Sequence, residues 1–238
     1  MATFDELRSQ LLRVQGCGAG ALELLEKAAH QLETPGLEGR RAEVLGRRGV
    51  LLLQQGDATG ALKTLEEALG ALPMGQSPGL RLYLLHNSAA TLARLGRVEA
   101  AAARLDEAEP LYETHGYDFL RAQRHWIRGL VQMKASQPEA AETSLRTAIE
   151  QLLALRFGRS AVLALFDLAR LYAVAGWEHR FDDMDALFEE LLKRPAFRSL
   201  LRVHGSELIG LARRKGVAVP HLQELMEKLE RDGDPPSC

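Results

Sequence analysis

Apolar and small residues recur along the chain at the spacing of helices. Leu45 and Gly49 are four positions apart, which places them on one face of a helix. Ala61 and Ala68 are seven apart, which predicts a second helix with a small-residue face. Gly56 lies between the two runs, and glycine ends a helix readily because it adopts the left-handed cap without strain. The pattern therefore predicts a hairpin of two helices of roughly 15 residues each.

The hairpin pattern recurs with a period of 40 residues. Glycine occupies one register position in five copies, serine takes it in another, and two alanine positions follow in the first four copies. Phenylalanine, histidine and lysine replace those alanines in the last two copies. Because one such hairpin cannot bury its apolar face alone, neighbouring hairpins are expected to stack. The positions are Gly16, Gly56, Gly96, Ser136, Gly176 and Gly216; Ala21, Ala61, Ala101, Ala141, Phe181 and His221; Ala28, Ala68, Ala108, Ala148, Phe188 and Lys228; and the small residues Gly49, Ala89, Gly129 and Ala169.

Proline and glycine mark the joints between copies, at residues 34–36, 73–75, 77–79 and 194–195. The first helix is expected to be short, over residues 3–14. The last copy is degenerate, and Pro220 is expected to open a final helix that ends at about Arg231. We predict one repeat array of about six hairpins over residues 1–231, followed by a disordered tail over residues 232–238.

Composition narrows the fold class and the functions. Leucine and alanine far outnumber valine and isoleucine, so an ordinary sheet protein is excluded, and 46% hydrophobic residues exclude wholesale disorder. The net charge of -2 argues against strong attraction to nucleic acid or anionic lipid. Cys17 and Cys238 are far apart and form neither a disulfide framework nor a zinc pair. With no secretion signal or membrane-spanning run, we expect a cytoplasmic protein.

Three segments carry a resemblance to a known family. Residues 85–101, with Ala89, Leu92, Gly96 and Ala101, closely resemble the tetratricopeptide repeat (TPR), as do residues 49–62 and 165–176. The usual TPR unit has about 34 residues, so a period of 40 resembles the long-helix subclass. The resemblance implies an all-α, right-handed superhelical solenoid of antiparallel helix hairpins. It also implies a non-catalytic protein that binds peptides or protein partners on its concave face, which the first helix of each hairpin lines.

The resemblance assigns candidate partner-binding residues to the first helices. Asn87 would grip a backbone amide of the ligand, because its side chain both donates and accepts; the alternative is an ordinary surface asparagine. His86, Trp126 and Phe166 would form an aromatic stripe for anchoring a partner, or else would pack between successive first helices. Arg94 would receive acidic ligand groups, or be rim charge. The full set is Arg47, Tyr83, His86, Asn87, Arg94, Gln123, Trp126, Ile127, Leu130, Lys134, Phe166, Asp167 and Arg170.

Other chemistry has weaker support in the sequence. The seven histidines show no metal-ligand spacing and no nucleophile motif is present, so we predict no catalytic residue, metal or cofactor. We therefore expect an adaptor, a regulatory subunit or a scaffold. One alternative is a sensor of nucleic acid or a small ligand that uses the basic and aromatic cluster of the fourth hairpin. The net charge argues against it, and we expect the cluster to pair with an acidic partner protein or with the neighbouring helix. Another is a homo-oligomer formed through the terminal hairpins. The first alternative uses Arg121, Arg124, His125, Trp126 and Arg128, and the second uses Leu222, Leu225, Met226 and Leu229.

Overall fold

The computed structural model describes residues 18–231. They form eleven α helices and one short 3-10 helix over Glu178–Arg180, and no strand occurs among them. The helix predicted over residues 3–14, both cysteines and the predicted disordered tail lie outside this part of the chain. The helices are α1 (Gly18–Gln31), α2 (Glu38–Gln54), α3 (Ala58–Ala71), α4 (Pro78–Arg94), α5 (Val98–His115), α6 (Asp118–Lys134), α7 (Pro138–Ala154), α8 (Gly158–Ala175), α9 (Asp182–Lys193), α10 (Pro195–Lys215) and α11 (Pro220–Arg231).

Most helices pair as the repeat predicts. Successive helices form the hairpins α2–α3, α4–α5 and α10–α11, and Gly129 of α6 meets Leu145 of α7 in the same way. Helix α1 packs against α2 in the place of a preceding second helix, whereas α8 lies mainly against α7 and α10 and the short α9 against α10 and α11. The chain divides into two compact units, Met1–Ile127 and Arg128–Cys238, so that the division falls inside α6. A single array over residues 1–231 stays a prediction.

A recurring helix-end motif closes the first helix of each hairpin. The N–H of Asp57 donates to the carbonyl of Leu52 at 3.0 Å, and the N–H of Trp177 donates to Tyr172 at the same distance, each bond reaching back five residues. Such bonds satisfy carbonyls that a helix end leaves open, and they need one residue in the left-handed region. Gly176 supplies it with φ of +73°. The turn glycines therefore recur because each first helix ends in a left-handed residue, as the sequence suggested.

Small residues let the two helices of a hairpin approach closely. A β-carbon on Gly49 of α2 would lie 2.7 Å from Cγ of Leu65 on α3 and 3.3 Å from the carbonyl oxygen of Ala61. Gly129 and Leu145, 80 residues further on, repeat the 2.7 Å approach between α6 and α7. The tight crossing predicted from the small-residue positions is confirmed.

Each unit has its own buried core. In the first unit, leucines of α2, α3 and α4 pack with alanines of α1, and Tyr112 of α5 packs with leucines of α4 and α6. In the second unit, α8 contributes ten buried residues, and the ring centre of Phe166 lies 5.8 Å from that of Phe188 on α9. Phe181 and Phe188 stand where earlier copies have alanine, and both are buried. Helix α9, which carries Phe188, has 12 residues where α5 has 18.

Candidate interaction surface

From residue 82 to residue 94, helix α4 exposes only a single narrow stripe of side chains to solvent. Over residues 82–94, every side chain is buried except those of Tyr83, Asn87, Ala90 and Arg94. Their spacing of four, three and four places them on one side of the helix. The opposite sides of α4 pack against α3 and α5, so these four residues, the α4 stripe, are what this helix offers to a partner.

Helix α8 repeats this stripe in the second unit. Over residues 161–174, only Leu163, Asp167, Arg170 and Val174 reach solvent, and each lies 80 residues after its counterpart on α4. We refer to these four residues as the α8 stripe. The repeat thus produces the same exposed face twice, although its chemistry changes. The α4 stripe has an aromatic ring, an amide and one cation, whereas the α8 stripe has two aliphatic side chains and both signs of charge.

A close helix contact positions the upper part of the α4 stripe. A β-carbon on Gly46 of α2 would lie 2.7 Å from Leu84 and 3.2 Å from the ring of Tyr83, so glycine at this position lets α4 lie against α2. The Asn87 amide Nδ2 donates to the carbonyl of Tyr83 at 2.7 Å. One of the two amide hydrogens of Asn87 is therefore used within the helix, and its Oδ1 can accept a bond from a ligand.

Charged residues border this face of the first unit. Arg47 of α2 forms an ion pair with Glu43, four positions earlier on the same helix. Arg94 ends α4 and is exposed. A cation at the end of a helix is favoured by the partial negative charge of the last carbonyls. Arg94 therefore places a positive charge at the end of the α4 stripe, whereas the charge of Arg47 is paired with Glu43.

Behind the α4 stripe, His86 joins three helices. Its side chain is buried, Nδ1 lies 2.7 Å from the Tyr112 hydroxyl of α5, and Nε2 lies 3.2 Å from Oε1 of Gln123 on α6. Because an amide oxygen can only accept, Nε2 carries the proton and Nδ1 accepts from the hydroxyl. Burial lowers the pKa of His86 to about 4, with a smaller opposing effect from the bond to Gln123. His86 is therefore a neutral internal brace.

On the α8 stripe, one arginine connects two first helices. Arg170 donates to Asp167 at 2.7 Å and to Glu207 of α10 at 2.8 Å, and its guanidinium lies 3.1 Å from Nδ1 of His204. Burial opposes ionisation of Glu207, but hydrogen bonds from His204 and Arg170 outweigh it and lower the pKa of this carboxyl. The ring of Phe166 lies beneath, 5.2 Å from that of His204.

The structure separates the thirteen predicted residues by burial. His86, Ile127 and Phe166 are at most 4% exposed, so they have no surface to offer a partner. The sequence left packing between helices as the alternative role for the aromatic stripe. His86 and Phe166 have this packing role. The ten that reach solvent are Arg47, Tyr83, Asn87, Arg94, Gln123, Trp126, Leu130, Lys134, Asp167 and Arg170.

Sequence reasoning missed the contribution of α10. His204 and Glu207 contact Arg170, yet neither was among the candidates. The signal was present, because positions 203, 207, 210 and 214 continue the stripe register by another 40 residues. Val203, in the first of these positions, is 56% exposed.

The basic cluster of the fourth hairpin is occupied by internal bonds. Arg124 donates to Glu109 at 2.9 Å and to Glu113 at 3.2 Å, and its guanidinium lies 5.3 Å from the ring centre of Tyr112. Arg121 donates to two carbonyl oxygens at the end of α5. These cations hold α6 to α5, which weakens the case for a nucleic-acid or small-ligand site there.

The final helix is packed inward by its apolar face. Leu222, Leu225, Met226 and Leu229 are at most 6% exposed and lie on the side of α11 that meets α9 and α10. The homo-oligomer alternative assumed that this face was available. Because it is buried within the second unit, these four residues cannot form a contact between two copies.

Residues 18–231 contain no group of three or more histidine, cysteine, aspartate or glutamate side chains that could hold a metal ion. None of the helices over residues 18–231 has the length and apolar character needed to cross a bilayer.

These features define a TPR-like helical repeat, and comparison with known proteins agrees. A Rap protein solved in complex with competence and sporulation factor superposes with a TM-score of 0.72 at 19% sequence identity. The match covers 97% of this chain and 64% of the Rap chain, so this chain spans less than two thirds of that protein. A MamA RS-1 ArsTM double mutant gives a TM-score of 0.48 at 16% identity, covering 71% of this chain and 93% of its own.

Comparison by sequence gives no assignment. No family model matches the chain, and no curated protein matches it. The predicted fold class, an all-α array of antiparallel helix hairpins of the TPR type, is confirmed by the structural match.

Proposed function

We propose that this protein is a non-catalytic interaction module, acting as an adaptor or regulatory subunit in the cytoplasm. A segment of a partner protein binds along the exposed stripes of the first helices. The observation that carries this proposal is the near-complete burial of α4, which leaves Tyr83, Asn87, Ala90 and Arg94 as its only accessible side chains over residues 82–94. A preformed helical face lowers the ordering cost of binding.

The α4 stripe has the chemistry to hold an extended segment. The ring of Tyr83 supplies apolar contact area, and the Oδ1 of Asn87 accepts a bond from a backbone N–H of the partner. Ala90 leaves room between them for the partner's backbone. Arg94 at the end of the stripe pairs with an acidic side chain or a terminal carboxylate. Half-exposed Trp126 of α6 is a further anchor.

The structural neighbour supports this proposal only through its fold. The Rap protein, which has a similar fold, was solved in complex with competence and sporulation factor. At 19% identity, neither its ligand nor its residues transfer to this chain. The stripe chemistry therefore has to be tested on this protein itself.

The test is affinity capture from the native host, with stripe variants and matched surface variants. Asn87→Ala combined with Trp126→Ala removes one polar and one aromatic contact from the first unit. Lys63→Ala combined with Glu66→Ala changes two exposed residues of α3, on the second-helix side of the same unit. Melting temperatures of all proteins are compared first, so that a loss of binding is not a loss of folding.

The proposal expects a partner that the wild-type protein and the α3 variant capture and the stripe variant loses. A partner lost with the α3 variant and kept by the stripe variant would move the site to the second helices. No difference between the two variants would contradict binding through the stripe.

A further inference from the structure

The connection between α7 and α8 contains residues that helix ends ordinarily disfavour. Arg156 has φ of +63°, a left-handed conformation that strains any residue with a side chain. Phe157 occupies the N-cap of α8 and provides no capping bond. Arg159 places a cation in the first turn of α8, beside the partial positive charge of the helix start. Departures from local stability rules that cluster on a surface are typical of sites kept for function.

The same connection is unusually apolar for an exposed segment. Leu153 is 55% exposed and Phe157 is 44% exposed. The start of α10 lies against it, because a β-carbon on Gly158 would be 3.2 Å from Cζ of Phe197. Leu153, Arg156, Phe157 and Arg159 lie within seven residues of one another along the chain, and Phe197 lies beside them at Gly158. We refer to these five residues as the edge patch.

The edge patch carries positive charge that the described residues do not neutralise. The side chains of Arg156 and Arg159 are exposed and form no ion pair or hydrogen bond with any residue over 18–231. Next to Phe197, Arg194 shares the single carboxylate of Glu190 with a lysine. Arginine and phenylalanine are both enriched in protein interfaces relative to the rest of a surface.

We propose that the edge patch is a second docking surface, which binds an acidic segment of a partner protein that also carries apolar side chains. Carboxylates of the segment pair with Arg156 and Arg159, and its apolar side chains cover Leu153 and Phe157. Arginine suits this role because its planar guanidinium binds a carboxylate through two parallel bonds. The patch uses no residue of the α4 or α8 stripe, so it stands or falls independently of the proposed function.

An anionic membrane is the competing occupant, and the observations favour it less. Stable binding to a bilayer needs a larger apolar insertion or a polybasic segment. The patch offers two strongly exposed apolar side chains on a protein whose net charge is -2. A partner segment of complementary charge fits the small area better.

The strained geometry allows a sharp test, since the variant designed to lose binding should fold at least as well as the wild type. Arg156→Gly removes a cation and relieves the left-handed strain. Arg159→Glu reverses a charge and places a carboxylate in the first turn of α8, where the helix favours it. The matched control combines Ser136→Gly, at φ of +59° in the same unit, with Arg97→Glu, at the exposed N-cap of α5.

The probe is a short fluorescein-labelled peptide in which glutamate or aspartate alternates with phenylalanine and leucine. Binding to the full chain is measured by fluorescence anisotropy at low and at physiological salt. Vesicles of equal parts phosphatidylcholine and phosphatidylglycerol provide the membrane arm.

The expected result is peptide binding that weakens as salt is raised, because exposed charges are screened. The Arg156→Gly/Arg159→Glu protein should bind about tenfold more weakly and melt at or above the wild-type temperature, while the control variant binds as the wild type does. Failure of the wild type to bind the peptide, or equal binding by the two variants, would overturn the proposal. Vesicle binding without peptide binding would overturn it too and assign the patch to a membrane.

Discussion

The hydroxyl oxygen of Tyr112 lies 2.7 Å from Nδ1 of His86, and this buried contact joins α5 to the helix that carries the α4 stripe. The two rings meet edge to face at 6.0 Å. A protonated imidazole would place an uncompensated charge in this core, and burial therefore lowers the pKa of His86 to about 4. The stability of the first unit should consequently depend on pH through this one side chain.

We expect His86 to destabilise the fold as the pH falls from 6.5 to about 4. The unfolded chain takes up the proton near 6.5 whereas the folded chain resists it, so the contribution is fully present above 6.5 and is lost below it. The loss amounts to roughly 1 kcal/mol per pH unit across this interval. Urea unfolding of the wild type and of His86→Gln over this pH range measures it.

Comparison with the His86→Gln protein separates the effect of His86 from that of the carboxylates, because the carboxylates titrate in both proteins. It should be less stable than the wild type at neutral pH, because a shaped internal brace is lost, and its stability should fall less steeply with acid. Parallel stability curves for the two proteins would show that His86 is not held neutral.

Ser136 occupies the turn position that glycine holds in neighbouring copies, at φ of +59°. Ser136→Gly should raise the free energy of unfolding by about 0.5–1 kcal/mol, because glycine adopts this conformation without strain. Ala140→Gly, in the first turn of α7, is the matched control and should lower stability by a similar amount. Thermal unfolding of both variants measures these changes in stability. A destabilised Ser136→Gly protein would refute the left-handed turn assigned to this residue.

The close approach of α6 and α7 makes a second stability prediction. Gly129→Val places a branched side chain where a β-carbon already lies 2.7 Å from Leu145, and it should cost about 1–3 kcal/mol through overpacking. Gly210→Ala on α10 is the contrast, because its β-carbon would lie an ordinary 3.6 Å from Arg214. That change should stabilise by about 0.5–1 kcal/mol. Equal effects of the two substitutions in denaturant titrations would contradict the tight crossing.

Much of the fold could be predicted because each repeat column has one physical cause. The glycine column marks left-handed helix ends, and Ser136 shows that the conformation persists when the residue changes. The small-residue column marks helix crossings, as Gly49 and Gly129 show. Proline marks helix starts, and α11 begins at Pro220 and ends at Arg231 as expected. These constraints are local or lie within one hairpin.

The candidate site could be predicted less well, because burial between hairpins depends on contacts across about 40 residues. One register position holds Gly46, His86, Trp126 and Phe166. The sequence could not tell whether side chains at this position line the partner-binding face or pack between helices. His86 and Phe166 are buried, whereas Trp126 is half-exposed. The difference comes from what lies opposite each ring, such as His204 against Phe166, and no spacing rule reports that.

In the second unit, Tyr172 supports the joint between α7 and α8. Its hydroxyl donates to Glu142 at 2.8 Å and accepts from Arg146 at 2.8 Å. Tyr172→Phe should lower stability by about 1–3 kcal/mol, because two charged groups lose a buried partner. Tyr117→Phe, at a residue that is 58% exposed, should stay within about 0.5 kcal/mol of the wild type. Equal effects in chemical denaturation would show that the Tyr172 hydroxyl contributes nothing.

The central claim is that partners bind on the exposed stripes of the first helices, and site-specific photo-cross-linking tests it most directly. A photoreactive phenylalanine is placed at Ala90, in the centre of the α4 stripe, or at Ala103, an exposed alanine on α5 of the same hairpin. After irradiation in the native host, covalent adducts are identified by mass spectrometry. The account predicts a specific adduct from position 90 that position 103 does not form. An adduct from position 103 alone would contradict the account.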